Sequence, residues 1–124
     1  MRVLLVDDDE PLRRSMARVL SRDAIVIGVA TAAEVLALIA AGERFDVLVC
    51  DYHLPDLTGT QLHARLRIVA PELARATVFV TGDADLESVR ISLASLGPIL
   101  SKPVSGAELR QAVAYVAASL AKLE

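Results

Sequence analysis

A chain of 124 residues with a formal net charge of -3 is expected to form one domain, residues 1–124, with a core that needs no disulfide or structural metal. Hydrophobic residues make up 54%, yet no uncharged apolar run approaches the roughly 18 residues of a membrane span, so the apolar excess belongs inside a fold. The acidic balance, with a pI near 5.4, leaves no positive field for a phosphate backbone or an anionic lipid surface, which argues against nucleic-acid or membrane binding by this chain alone.

In chain order, short apolar runs at 3–6, 24–29, 47–50, 77–80 and 98–100 predict five strands. Several are apolar at consecutive positions, as strands covered on both faces are. After the first run, Leu12, Met16, Val19 and Leu20 share one helical face while Arg13, Arg14 and Arg18 face away. Three later helices open on a hydroxyl residue followed three positions on by Glu or Gln: Thr31 with Glu34, Thr58 with Gln61, and Ser105 with Glu108. Helical spacing continues through Leu62, Leu66 and Val69, through Leu86, Val89, Leu93 and Leu96, and through Leu109, Val113, Val116 and Leu120. Strand then helix, five times over, predicts an α/β doubly wound parallel sheet of the flavodoxin-like kind, strand order 2-1-3-4-5, with five helices. The last helix runs almost to Glu124, so no output domain is expected within the chain.

In such sheets ligands bind beyond the carboxyl ends of the strands, near the point where strand order reverses. Those ends carry Asp7, Asp8 and Asp9, then Asp51, Thr81 and Lys102. Bare carboxylates repel phosphate, so a cation must intervene, and magnesium takes a few carboxylates while keeping waters and a phosphate oxygen. Asp7, Asp8 and Asp51 suit that ion, with manganese able to substitute. Phosphoryl transfer then asks for a nucleophile and for positive groups at the equatorial oxygens. Asp51 can supply the first and Lys102 with the Thr81 hydroxyl the second.

With VDDD at 6–9, CDYHLPDLTG at 50–59, TGD at 81–83 and SKP at 101–103, the chain resembles the receiver domains of two-component signalling across essentially its whole length. The resemblance implies that Asp51 is the phosphoacceptor, that Asp7 and Asp8 are the acidic pair, and that the main-chain carbonyl of His53 is a further magnesium ligand. It also makes Thr81 the switch hydroxyl, Lys102 the family's lysine and Lys102 to Pro103 a cis peptide. Pro55 and Gly59 match the loop after the phosphoacceptor. The implied partners are a sensor histidine kinase or a histidine phosphotransfer protein, with no separate small-molecule turnover. The segment GPILSKPV looks more like receivers attached to hybrid kinases than like those of transcription factors. A haloacid-dehalogenase-like phosphatase would use similar groups, but it expects a second acid two residues past the nucleophile, where this chain has His53. A flavodoxin is disfavoured by acids in the phosphate loop and by few aromatic residues, and a docking module that never carries phosphate by the presence of all five key side chains.

Other residues read more plainly. Asp9, with Pro11 behind it, suits a helix cap, and the rings of His53 and His63 read as solvent-exposed. Cys50 reads as a small buried hydrophobe, its solitude ruling out an internal disulfide. With no signal-peptide pattern in MRVLLVDDD, this places the chain in the cytoplasm. One position departs from the resemblance: many receivers carry Tyr or Phe three residues before the lysine, whereas Ile99 stands here. Without a ring to turn inward, the signal is expected to run through the loop after Thr81 into the fourth helix. Ile91 there, and Ala112, Ala114, Tyr115 and Ala118 on the fifth, suggest a face for homodimerisation or kinase docking.

Overall fold

The computed structural model describes residues 1–82 and 87–121. Five strands, β1 (Arg2–Val6), β2 (Ile25–Val29), β3 (Val47–Asp51), β4 (Thr77–Thr81) and β5 (Ile99–Ser101), form one sheet in the order β2-β1-β3-β4-β5. All pairings are parallel. The helices are α1 (Glu10–Leu20), α2 (Ala32–Ala40), α3 (Gly59–Val69), α4 (Pro71–Arg75), α5 (Glu87–Leu93) and α6 (Gly106–Ala121).

Strand side chains alternate between faces, and this sheet is apolar on both. Leu4, Val6, Leu48, Cys50 and Phe79 pack against Val35 of α2, Leu62 and Leu66 of α3, and Leu93 of α5. Val3, Leu5, Val47, Val49, Val78 and Val80 pack on the other face against Met16 and Leu20 of α1 and Leu109 and Val113 of α6. Hence β3 and β4 are buried at every position, while the edge strand β2 leaves Ile25 64% exposed. Two glycines are needed where they stand. Gly42 has φ +89 and ends α2, its N–H bonding the Ile39 carbonyl while that of Glu43 bonds Leu38. A Cβ on Gly97 would sit 2.2 Å from the Thr77 carbonyl oxygen, so only glycine lets this loop pass β4.

Several expectations are corrected. There are six helices among the described residues, because α4 follows α3 with Pro71 in its first turn. Its Leu73 and Ala74 cover one flank of α3, and this decides which residues of α3 are inside. His63 is buried, 7% exposed, and its Nε2 donates to the Ala74 carbonyl at 3.0 Å, whereas Val69, expected inside, is 57% exposed. The carbonyl can only accept, so Nε2 carries the proton, and burial holds the ring's pKa below its ordinary value. Of the three hydroxyl starts, only Thr58 and Gln61 form the reciprocal box; Glu34 and Glu108 accept from the Thr31 and Ser105 hydroxyls instead. Leu86, Asp83 of the TGD segment and the last helical residues before Glu124 lie outside the described residues.

Candidate functional site

The chain places β2 on one side of β1 and β3 on the other, so strand order reverses between β1 and β3. Asp7 and Asp8 follow β1 at that point and Asp51 ends β3 beside them. One carboxylate oxygen from each lies within 4.8 Å of the others, although Asp8 is exposed while Asp7 and Asp51 are buried. Lys102, just past β5, brings its Nζ to 3.2 Å from Asp7 Oδ2 and 3.3 Å from Asp51 Oδ2. The Lys102 N–H bonds the Thr81 carbonyl at 2.9 Å, which fixes the start of that side chain against the end of β4. Lys102 to Pro103 is cis.

Burial, then the neighbouring Asp7 carboxylate, raises the pKa of Asp51, although Lys102 and the His53 N–H at 3.4 Å pull the other way. Burial alone would lower Lys102, but Asp51 and Asp7 beside it hold the ammonium above its ordinary value. Two of the three carboxylates, Asp7 and Asp51, thus share one ammonium in a partly dehydrated cleft. Asp7 Oδ2 is wholly buried and, beyond that ion pair, accepts no hydrogen bond. An all-oxygen donor set with a spare buried oxygen fits a hard divalent cation.

Thr81, wholly buried, ends β4 one residue beyond Val80, which pairs with Asp51 in the sheet register. His53 is exposed, its ring edge-on to Tyr52 at 4.8 Å. Asp9 caps α1, accepting from the Leu12 N–H at 3.2 Å. Cys50 is buried, its thiol pushed far above its ordinary pKa by burial and then by Asp51 and Asp7, so it is no nucleophile.

Two residues of the surroundings escape a reading by periodicity. Arg13, expected to face away, turns back to donate to the Asp7 carbonyl at 2.7 Å. Its place at the border of the apolar stripe was the available signal. Asp56, in the loop between β3 and α3, accepts from the Ala32 and Ala33 N–H groups at 3.0 and 2.8 Å, tying that loop to the start of α2. Nothing local in the sequence marks a bond across 24 residues.

Residues 3–114 match the response regulator receiver domain family. The chain belongs to that family. It is 30% identical over 126 residues to the Sensory/regulatory protein RpfC of Xanthomonas campestris, covering 99% of this chain and 17% of that protein. With the DNA-binding transcriptional activator DevR/DosR of Mycobacterium tuberculosis it shares 34% over 127 residues, covering 100% of this chain and 58% of the other. The receiver thus spans only part of these two relatives, one a sensory/regulatory protein and the other a DNA-binding transcriptional activator. A CheY-like response regulator receiver domain protein from Methanospirillum hungatei superposes with TM-score 0.86 at 30% identity, over 99% of this chain and 98% of that one. No described helix is long and apolar enough to cross a membrane.

Proposed function

We propose that this receiver takes a phosphoryl group from a phosphohistidine of a sensor kinase or phosphotransfer protein onto Asp51, in a magnesium-dependent reaction, and signals through protein contacts. The observation that carries it is the convergence of Asp7, Asp8, Asp51 and Lys102 at the point of strand reversal. An Asp51 carboxylate oxygen attacks phosphorus as the phosphorus–nitrogen bond to the donor imidazole breaks, and the bonding pair leaves with that ring. Asp7, Asp8, Asp51 and the His53 carbonyl would hold the ion, which when bound neutralises charge on the phosphoryl oxygens. Lys102 and the Thr81 hydroxyl meet the remaining oxygens. Manganese has the same preference for oxygen and is expected to substitute.

The readout runs from Thr81 to α5 and α6, the fourth and fifth helices of the sequence reading. Ile91 and Tyr115 are exposed there and suit a homodimer or a kinase contact. The chain works in the cytoplasm, where kinases draw phosphate from ATP, and turns over no separate small molecule. The test is transfer from a panel of phosphorylated histidine kinases with and without EDTA: one kinase is expected to label the wild type rapidly with magnesium only. Undiminished label on Asp51→Asn overturns the reading.

A further inference from the structure

Each polar atom of Asp7 has an identifiable neighbour. Its N–H bonds the Val29 carbonyl at 3.1 Å, its Oδ1 accepts from the Asp9 N–H at 2.9 Å, and its Oδ2 faces Lys102. Its carbonyl is held by Arg13 Nη1 at 2.7 Å, from the first turn of α1. The bond depends on the neighbouring strand too. The Arg13 stem lies across β2 at Gly28, where a Cβ would meet Arg13 Cδ at 3.3 Å and Cγ at 3.4 Å. A bare backbone at position 28 therefore keeps open the path by which the guanidinium reaches back over the sheet.

The peptide bond is planar, so a hand on the Asp7 carbonyl holds the whole Asp7–Asp8 peptide and the direction in which the Asp8 backbone leaves it. Asp8 is the exposed member of the acidic triad, with less packing than Asp7 or Asp51 to fix it. We infer that Arg13 is a positioning residue, which through the Asp7 carbonyl sets where Asp8 presents its carboxylate to a divalent cation, and that Gly28 is its partner. This rests on reading the acidic cluster as a cation site. Arginine suits the task because its guanidinium stays charged and its stem reaches the carbonyl while packing on strand backbone.

Arg13→Met keeps a stem over Gly28 and removes the bond, and two readouts follow. In calorimetric titration with magnesium chloride, Arg13→Met is expected to raise Kd about 10-fold, the scale of losing a group that orients a metal ligand. Arg13→Lys is expected to recover most of that loss. In the metal-free protein, amide exchange at Asp8 and Asp9 is expected to quicken in Arg13→Met while the amides of β3 and β4 keep their protection. A Kd within twofold of wild type, or a loosening shared equally by β3 and β4, overturns the inference. If Arg13→Met does not fold, Gly28→Val displaces the same stem with the charge retained, and an unchanged Kd there overturns it as well. Should the wild type bind no magnesium, the cation reading fails by itself, and the metal-free exchange still decides whether Arg13 holds the Asp8 peptide.

Discussion

The two ends of the sheet make an instructive contrast. At the amino end a cavity of about 630 Å³ is lined by Arg2, Glu43, Arg44, Phe45, Asp46 and Glu72 among others. Arg2 organises one side of it: it pairs with Glu43 at 3.2 Å, its N–H bonds Asp46 at 2.7 Å, and its guanidinium lies over Phe45 at 4.7 Å. At the carboxyl end three carboxylates converge, Lys102 pairs with two of them, Asp7 and Asp51, and a buried carboxylate oxygen is left without a hydrogen bond. Groups that satisfy one another, as Arg2, Glu43 and Asp46 do, have little left to offer a ligand. Uncompensated charge held against its own repulsion does, and it marks the working end.

The hardest blow to the carboxyl end is removal of its cation. Lys102→Ala is expected to slow phosphoryl transfer to Asp51 about 100-fold, the scale of losing one preorganised group at a charged transition state. The initial labelling rate from a fixed phosphodonor measures it, and a rate within threefold of wild type would mean that Lys102 meets no phosphoryl oxygen.

The next test sharpens the contrast through stability. Magnesium at about 100 times its Kd is expected to stabilise the fold by about 2.7 kcal/mol, seen as a raised Tm. Asp8→Ala is expected to remove most of that gain. Without metal, Asp51→Asn is expected to stabilise by on the order of 1 kcal/mol, because burial and Asp7 disfavour the charge it removes. An Asp51→Asn protein less stable than wild type in EDTA would show that Lys102 more than offsets the repulsion.

Away from the acids, His63 predicts a pH effect. Its pKa is lowered in the fold, so the unfolded chain binds a proton first as pH falls. The stability it contributes is complete above the ordinary value of 6.5 and drains away as pH drops from there toward the lowered folded value. His63→Gln is expected to flatten that part of the pH profile of urea unfolding, and an unchanged slope would reject the assignment. The smallest effect belongs to the amino end. Glu43→Gln, in a half-exposed pair, is expected to cost less than about 1 kcal/mol and to leave magnesium affinity unaltered.

Much of this architecture was legible in the sequence because it rests on local patterns. Strand ends fall within a residue of the apolar runs, and the acids, Thr81 and Lys102 stand at those ends because the chain must leave a buried sheet there. What escaped is tertiary. Helix α4 has five residues, too few to show a period, and without it neither the burial of His63 nor the exposure of Val69 follows. Arg13 sits at the edge of its helix's apolar stripe, where only a neighbouring carbonyl and a bare Gly28 decide which way it turns. Asp56 caps a helix from a loop remote in sequence, a contact created by the fold itself.

The central claim is that the uncompensated carboxyl end receives the phosphoryl group on Asp51. Borohydride trapping tests it most directly, since an aspartyl phosphate is reduced to homoserine and the change can be located by peptide mass mapping. The account predicts a single magnesium-dependent conversion at Asp51, absent in the untreated protein. Conversion at another residue with Asp51 intact, or a phosphate that survives acid and borohydride alike, would contradict it.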